Sequence, residues 1–153
     1  MNTKKAIFIL FLLGMIILPL ISGWSFHASD PAPKIIVGNQ TFKLLLANSP
    51  LEKKTGLSYK ASLPLDYGML FRFQKPDYYS FWMKDMKFPI DIIFIRDGKI
   101  VTIYKNAEPP LHGTQNLAKF SPTEPADTVL EINAGLSEKY NFCHGTKVSF
   151  SNN

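Results

Sequence analysis

A single cysteine in 153 residues is the first constraint. Cys143 has no partner within the chain, so no internal disulfide closes and no thiolate cage for zinc forms. Histidine is almost as scarce. His27, His112 and His144 show no metal-ligand spacing on any one element. The adjacent Cys143 and His144 are not a catalytic dyad, because neighbours on a strand point to opposite faces. No nucleophile elbow, phosphate-cradling glycine loop or dinucleotide fingerprint occurs. Catalytic residues are therefore not identified by motif, and no cofactor or metal is expected. Internal repeats and low-complexity tracts are missing as well. A charged fraction of 19% and an aromatic fraction of 13% exclude disordered, collagen-like and coiled-coil chains. What remains is one domain's worth of polypeptide.

The N-terminus carries the clearest positive signal. Lys4 and Lys5 precede an apolar run from Ala6 to Ile21, broken only by Gly14 and Pro19. No polar residue recurs at helical spacing, as an amphipathic core helix would require. Residues 1–23 therefore read as a signal peptide or N-terminal membrane anchor. Ser22 and Gly23 allow a cut before Trp24, and no cysteine follows to take a lipid. The expected location is exported: periplasmic, or anchored to the outer face of the cytoplasmic membrane. Removing residues 1–23 takes away only Lys4 and Lys5, leaving fifteen bases against twelve acids and a net charge of +3. So mild an excess gives no footprint for nucleic acid, and membrane contact is expected only through the N-terminal segment.

Residues 24–33 form a polar, proline-containing tether, residues 34–150 a single domain, and residues 151–153 a tail. Lys34–Val37 and Gln40–Ala47 flank Gly38-Asn39, which suits a type II′ hairpin. Ile90–Arg96 and Lys99–Tyr104 flank Asp97-Gly98, a type I′ signal. The second turn sets a register that pairs Arg96 with Lys99, Ile95 with Ile100, Phe94 with Val101 and Asp91 with Tyr104. Both faces of this hairpin are largely apolar, so it is expected to be central. Ser49, Pro50 and Glu52 make a capping box for a short helix ending at Gly56. A second short helix is expected from Leu136 to Tyr140. Further strands are expected at Gly68–Phe73, Tyr79–Met83, Thr128–Ile132 and Lys147–Phe150. The proline-rich stretch from Asn106 to Pro125 reads as a long loop with no element of its own. The expected fold is mostly β: a compact β-sandwich, jelly-roll-like, or a partly open barrel with two short helices.

Four segments in order, Gly56–Phe73, Phe81–Ile95, Asp97–Val101 and Val129–Gly135, resemble the domain of unknown function 192 (DUF192) family. The resemblance extends over about Lys34 to Phe150. It implies a small, mostly β domain of sandwich or jelly-roll type, in many members behind an N-terminal signal, with no established activity. The chain departs from the family at Ser58 and Lys60, where the pattern has Met and Arg. Lys60 keeps the charge but lacks the planar fork that grips a carboxylate with two bonds.

The segment Tyr78–Met86 concentrates aromatic faces, thioethers, a cation and a carboxylate. One reading makes it a ligand surface, with Trp82 or Tyr79 stacking on a flat group and Lys84 holding an anion. The other makes it a strand and bend, with Phe81 and Met83 in the core. Asp91 falls inside an apolar hairpin, where a carboxylate must be paired, hydrogen-bonded or protonated. It is either a structural bridge, to Lys60, Lys84, Arg72 or the Tyr104 hydroxyl, or part of a site. Glu131 faces away from Leu130 and Ile132, as a solvated strand residue or as the second carboxylate of a pair with Asp91. The expected ligand-binding residues are Lys60, Trp82, Lys84, Asp91 and Glu131. The expected function is a non-catalytic cell-envelope module for a small polar ligand, glycan or peptide. Two alternatives stand beside it: an envelope structural or assembly partner, and a hydrolase using Asp91 and Glu131.

Overall fold

Turn chemistry sets the two hairpins. In this computed structural model, which describes residues 32–111 and 117–151, Gly38 takes a φ of 57° between β1 (Lys34–Val37) and β2 (Gln40–Ala47). That is the conformation the first central position of a type II′ turn requires. Asp97 and Gly98 both have positive φ, 50° and 66°, between β5 (Ile90–Arg96) and β6 (Lys99–Ala107), as a type I′ turn demands. The expected signal or anchor, the start of the tether, the last two tail residues and His112 lie outside the described residues. Among the described residues no helix is long and apolar enough to cross a membrane.

The capping box forms as expected. The Ser49 hydroxyl accepts from the Glu52 amide at 3.2 Å, and Glu52 Oε2 accepts the Ser49 amide at 2.7 Å. These bonds start α1 (Pro50–Thr55), and Gly56, at φ 53°, ends it by donating to the Glu52 carbonyl. The remaining elements are β3 (Tyr67–Asp77), β4 (Phe81–Trp82), β7 (Lys119–Phe120), β8 (Ala126–Asn133), α2 (Leu136–Lys139) and β9 (Val148–Ser151).

Seven strands form one sheet in the order β6-β5-β8-β3-β2-β1-β9. Every pairing is antiparallel except β2 with β3, which run parallel through the crossover that carries α1. The sheet curls until its two ends meet near the β5–β6 turn. There the Val148 amide donates to Gly98 O at 2.8 Å and the Ile100 amide to Thr146 O at 3.0 Å. The result is a partly open barrel with two short helices. All seven strands send side chains into one core, including Ile35, Phe42, Leu70, Ile93, Ile100, Leu130 and Val148, and Leu136 and Phe142 close one end. The outer face of β3, β8 and β5 buries a second core, with Met69, Phe71, Ile92, Phe94 and Val129 beneath Leu57, Leu63 and Met83.

Gly68 on β3, opposite Ile132 on β8, leaves no room for a side chain. A Cβ there would lie 2.8 Å from Leu130 Cδ1 and 3.1 Å from the Glu131 carbonyl oxygen.

Three expectations need correction. The β5–β6 register holds at Arg96–Lys99 and Ile95–Ile100, then slips. Val101 bulges out, Phe94 pairs with Thr102, and Ile92 rather than Asp91 pairs with Tyr104. A second slip follows before Ile90–Ala107, where Asn106 takes a φ of 53°. Each extra residue turns the following side chains to the other face, so Ile103 reaches the inner core and Tyr104 the outer one. The Asn106–Pro125 stretch contains an element after all: β7 pairs with β4 through Phe81–Phe120 and Trp82–Lys119. Finally, β3 runs on to Asp77; its pairing with β8 breaks after Arg72 and resumes at Asp77–Ala126. The irregular stretch between is one wall of the site described next.

Candidate functional site

Asp91 and Glu131 lie on adjacent strands, yet they serve different faces. Asp91 pairs with Ile132, and Glu131 with Ile92. By alternation Asp91 points to the inner core and Glu131 to the outer one. The carboxylate pair expected for a hydrolase is therefore not formed, because the two acids cannot flank one bond in one cleft.

Asp91 is fully buried and fully occupied. Its Oδ1 accepts the Asn106 amide at 2.9 Å and the Gly135 amide at 3.2 Å, and its Oδ2 accepts the Ser137 amide at 2.8 Å. It ties the β6 bulge and the start of α2 to β5. The structural role expected of it is right in kind but not in partner. Backbone amides satisfy it, not Lys60, Lys84, Arg72 or Tyr104. The Tyr104 hydroxyl instead donates to the Ser121 carbonyl at 2.6 Å.

Glu131 has the opposite character. It is only 6% exposed, and its Oε2 has no hydrogen-bond partner. Burial alone pushes its carboxyl up to about 8. Directly opposite it stand Met69 on β3 and Ile92 on β5, neither of which offers a polar atom. The acid is thus largely protonated at neutral pH, a donor with nothing to donate to.

Above Glu131 lies a cavity of about 260 Å³. Its walls come from the stretch of β3 after Arg72 and from the segment leading into β4. Phe73 stacks on Tyr79, with centroids 3.7 Å apart and planes 12° from parallel. Phe81 meets Phe71 edge-on at 5.1 Å. Trp82, 44% exposed, forms the outer wall with Lys84. The end of α1 completes the mouth. Lys53 donates to the Arg72 carbonyl and lies 4.8 Å over the Phe73 ring. Lys54 also lines the cavity, and a Cβ on Gly56 would lie 3.8 Å from Glu131 Oε2. The capping box thus does more than start a helix. By fixing where α1 begins, it helps to set Gly56 beside the buried acid and Lys53 and Lys54 on the cavity wall.

Of the five expected site residues, Trp82, Lys84 and Glu131 converge on this cavity. Asp91 does not, for the reason given. Lys60 does not line it either; its ammonium lies 5.0 Å over the ring of its neighbour Tyr59. The two readings of Tyr78–Met86 prove compatible. Met83 is buried, Asp85 turns the chain at φ 58°, and Trp82 and Lys84 are left on the cavity. Sequence reasoning missed Lys53, Lys54 and Phe73. The available signal was the Lys-Lys pair immediately before the helix-ending Gly56. Among the described residues, no group of three His, Cys, Asp or Glu side chains could hold a metal ion.

Comparison with known proteins agrees with the fold and leaves the activity open. No curated protein matches the chain. Two solved structures are similar to it. One is a protein of unknown function from Novosphingobium aromaticivorans DSM 12444, with 29% identity and a TM-score of 0.69 over 80% of this chain and 89% of that one. The other, described as "a putative transcription regulator", is from Sinorhizobium meliloti 1021. It has 31% identity and a TM-score of 0.69 over 77% of this chain and 92% of that one. The sequence model of DUF192, whose description reads "Uncharacterized ACR", matches residues 34–150. Those residues include the whole of the curled sheet but the last residue of β9, and every side chain of the cavity, and the chain belongs to the DUF192 family.

Proposed function

We propose that the chain is an exported cell-envelope domain that binds a small ligand in the cavity above Glu131 without turning it over. One observation carries this reading: a buried carboxyl with an unpartnered oxygen at the floor of an aromatic cavity open to the surface. A buried polar group with no partner costs about 1–3 kcal/mol. An apolar side chain at position 131 would avoid that cost, and a ligand that bonds to the acid recovers it. Exposed Trp82 supports the same reading, because a large flat side chain beside a cavity is a ready stacking surface. Asp91 serves the opposite face from Glu131, which favours binding over hydrolysis by that carboxylate pair.

Export rests on residues 1–23, with their two lysines and long apolar run. Ligand sensing meets the regulatory description of the Sinorhizobium relative as readily as nucleic-acid contact does. A net charge of +3 after residue 23 gives little electrostatic reason for the latter.

The test is equilibrium binding to the full chain, followed by calorimetry, against a panel of glycans and small acidic metabolites. Trp82→Ala is expected to weaken every ligand found, and Lys60→Ala to leave each unchanged. Unaltered affinities in the Trp82 variant would show that the cavity is not the site. Protease accessibility of the domain in spheroplasts tests export.

A further inference from the structure

The cavity sorts ligands by charge, and this inference rests on its being a ligand site. Its floor is one acid, its walls are aromatic, and its mouth is cationic. Lys54 and Lys84 are exposed and line it, and Lys53 reaches across Phe73. Among the described residues, Glu131 is the only acid that lines it. Asp85 belongs to the adjoining groove, which shares Lys54 and Lys84. The other titratable side chain facing the cavity is the Tyr79 phenol, whose hydroxyl is engaged with the Lys75 carbonyl at 2.9 Å.

An anion entering this site gains from the ammonium groups at the mouth. A cation is repelled there, and it gains from Glu131 only after the acid ionises between Met69 and Ile92, where burial opposes the charge. The aromatic walls leave room for a flat body about the size of one substituted ring.

We propose that the cavity takes a small organic anion with a flat apolar body, its charged group between Lys54 and Lys84 and an acceptor oxygen against the Glu131 carboxyl. The proton on Glu131 is part of the recognition. Binding therefore weakens as pH rises through the range in which the acid ionises.

Three probes of one shape separate the possibilities: para-methoxybenzoate, para-methoxybenzamide and para-methoxybenzamidine, which are anionic, neutral and cationic with the same accepting ether oxygen. Each is titrated calorimetrically into the full chain at pH 7 and pH 9. The benzoate is expected to bind at least about tenfold more tightly than the amidine, a preference that Lys54→Ala with Lys84→Ala removes. With the acid at about 8 in the free protein, benzoate affinity is expected to fall about tenfold between the two pH values. In Glu131→Gln, which keeps a donor and cannot ionise, that fall is expected to vanish. Amidine binding that is tighter than benzoate binding at pH 7 overturns the anion assignment but leaves the cavity a ligand site. So does equal binding of amide and benzoate. Failure of all three probes at both pH values overturns this inference and the proposed function together.

Discussion

The pH dependence of stability is the most direct consequence of the Glu131 environment. In the unfolded chain its carboxyl titrates at the ordinary value of 4.5, and in the fold burial raises it to about 8. The folded state therefore binds the proton more tightly than the unfolded state does. Below pH 4.5 both states are protonated and nothing is lost. Between 4.5 and 8 the unfolded chain ionises while the fold must keep its proton or bury a charge. Stability falls over that window by about 1.4 kcal/mol per pH unit, levelling off roughly 5 kcal/mol lower above pH 8. That is a large share of the 5–15 kcal/mol typical of a domain. The assay is urea denaturation of wild type and Glu131→Gln at intervals from pH 5 to pH 9. The variant is expected to gain several kcal/mol on wild type across this range, chiefly between pH 5 and 8. Parallel pH profiles would refute the reasoning, because they would mean that Glu131 ionises in the fold as easily as outside it. Glu131→Leu carries the argument further: it removes the orphan carboxyl, raises stability at every pH above 5, and abolishes ligand binding.

Asp91→Ala leaves the Asn106, Gly135 and Ser137 amides without their acceptor and is expected to cost about 3 kcal/mol or more, read from urea midpoints. Gly68→Ala drives a methyl to within 2.8 Å of Leu130 and 3.1 Å of the β8 backbone, and should cost about 2 kcal/mol by the same measurement. Trp82→Ala, at a position 44% exposed, should shift stability by no more than about 1 kcal/mol while weakening ligand binding.

Elements governed by short-range chemistry were legible in the sequence. Asp97-Gly98, Gly38-Asn39 and the Ser49–Glu52 box specify their own conformations, and all three form as read. The bulge at Val101 was not legible, because nothing in Lys99–Tyr104 distinguishes a straight strand from a slipped one. The slip is set by what β6 must reach: Ile103 fills the inner core, while Tyr104 bonds to Ser121 and meets Phe120 edge-on at 5.2 Å. The two-residue ribbon of β4 and β7 is of the same kind. Phe81 and Phe120 are far apart in sequence, and neither flank carries a hairpin signal. Nor could the sheet order be read, since the parallel step from β2 to β3 depends on a crossover of which α1 is only part.

The two carboxylates show where such reading stops. Each sits in an apolar strand, and sequence alone makes both candidates for pairing, hydrogen bonding or protonation. What separates them is the loop that each one faces. Asp91 looks toward a bulge and a helix start, places where backbone amides lack partners of their own, and three of them converge on it. Glu131 looks toward regular strands and an aromatic wall, where Met69 and Ile92 stand directly opposite and no amide bonds to its Oε2. The same residue chemistry therefore gives a rigid structural clamp on one face and an unsatisfied acid on the other. A clamp is explained by the fold that it holds. An unsatisfied acid beside a 260 Å³ opening is not, and that difference is the reason for proposing the ligand site on the face of β8 from which Glu131 projects.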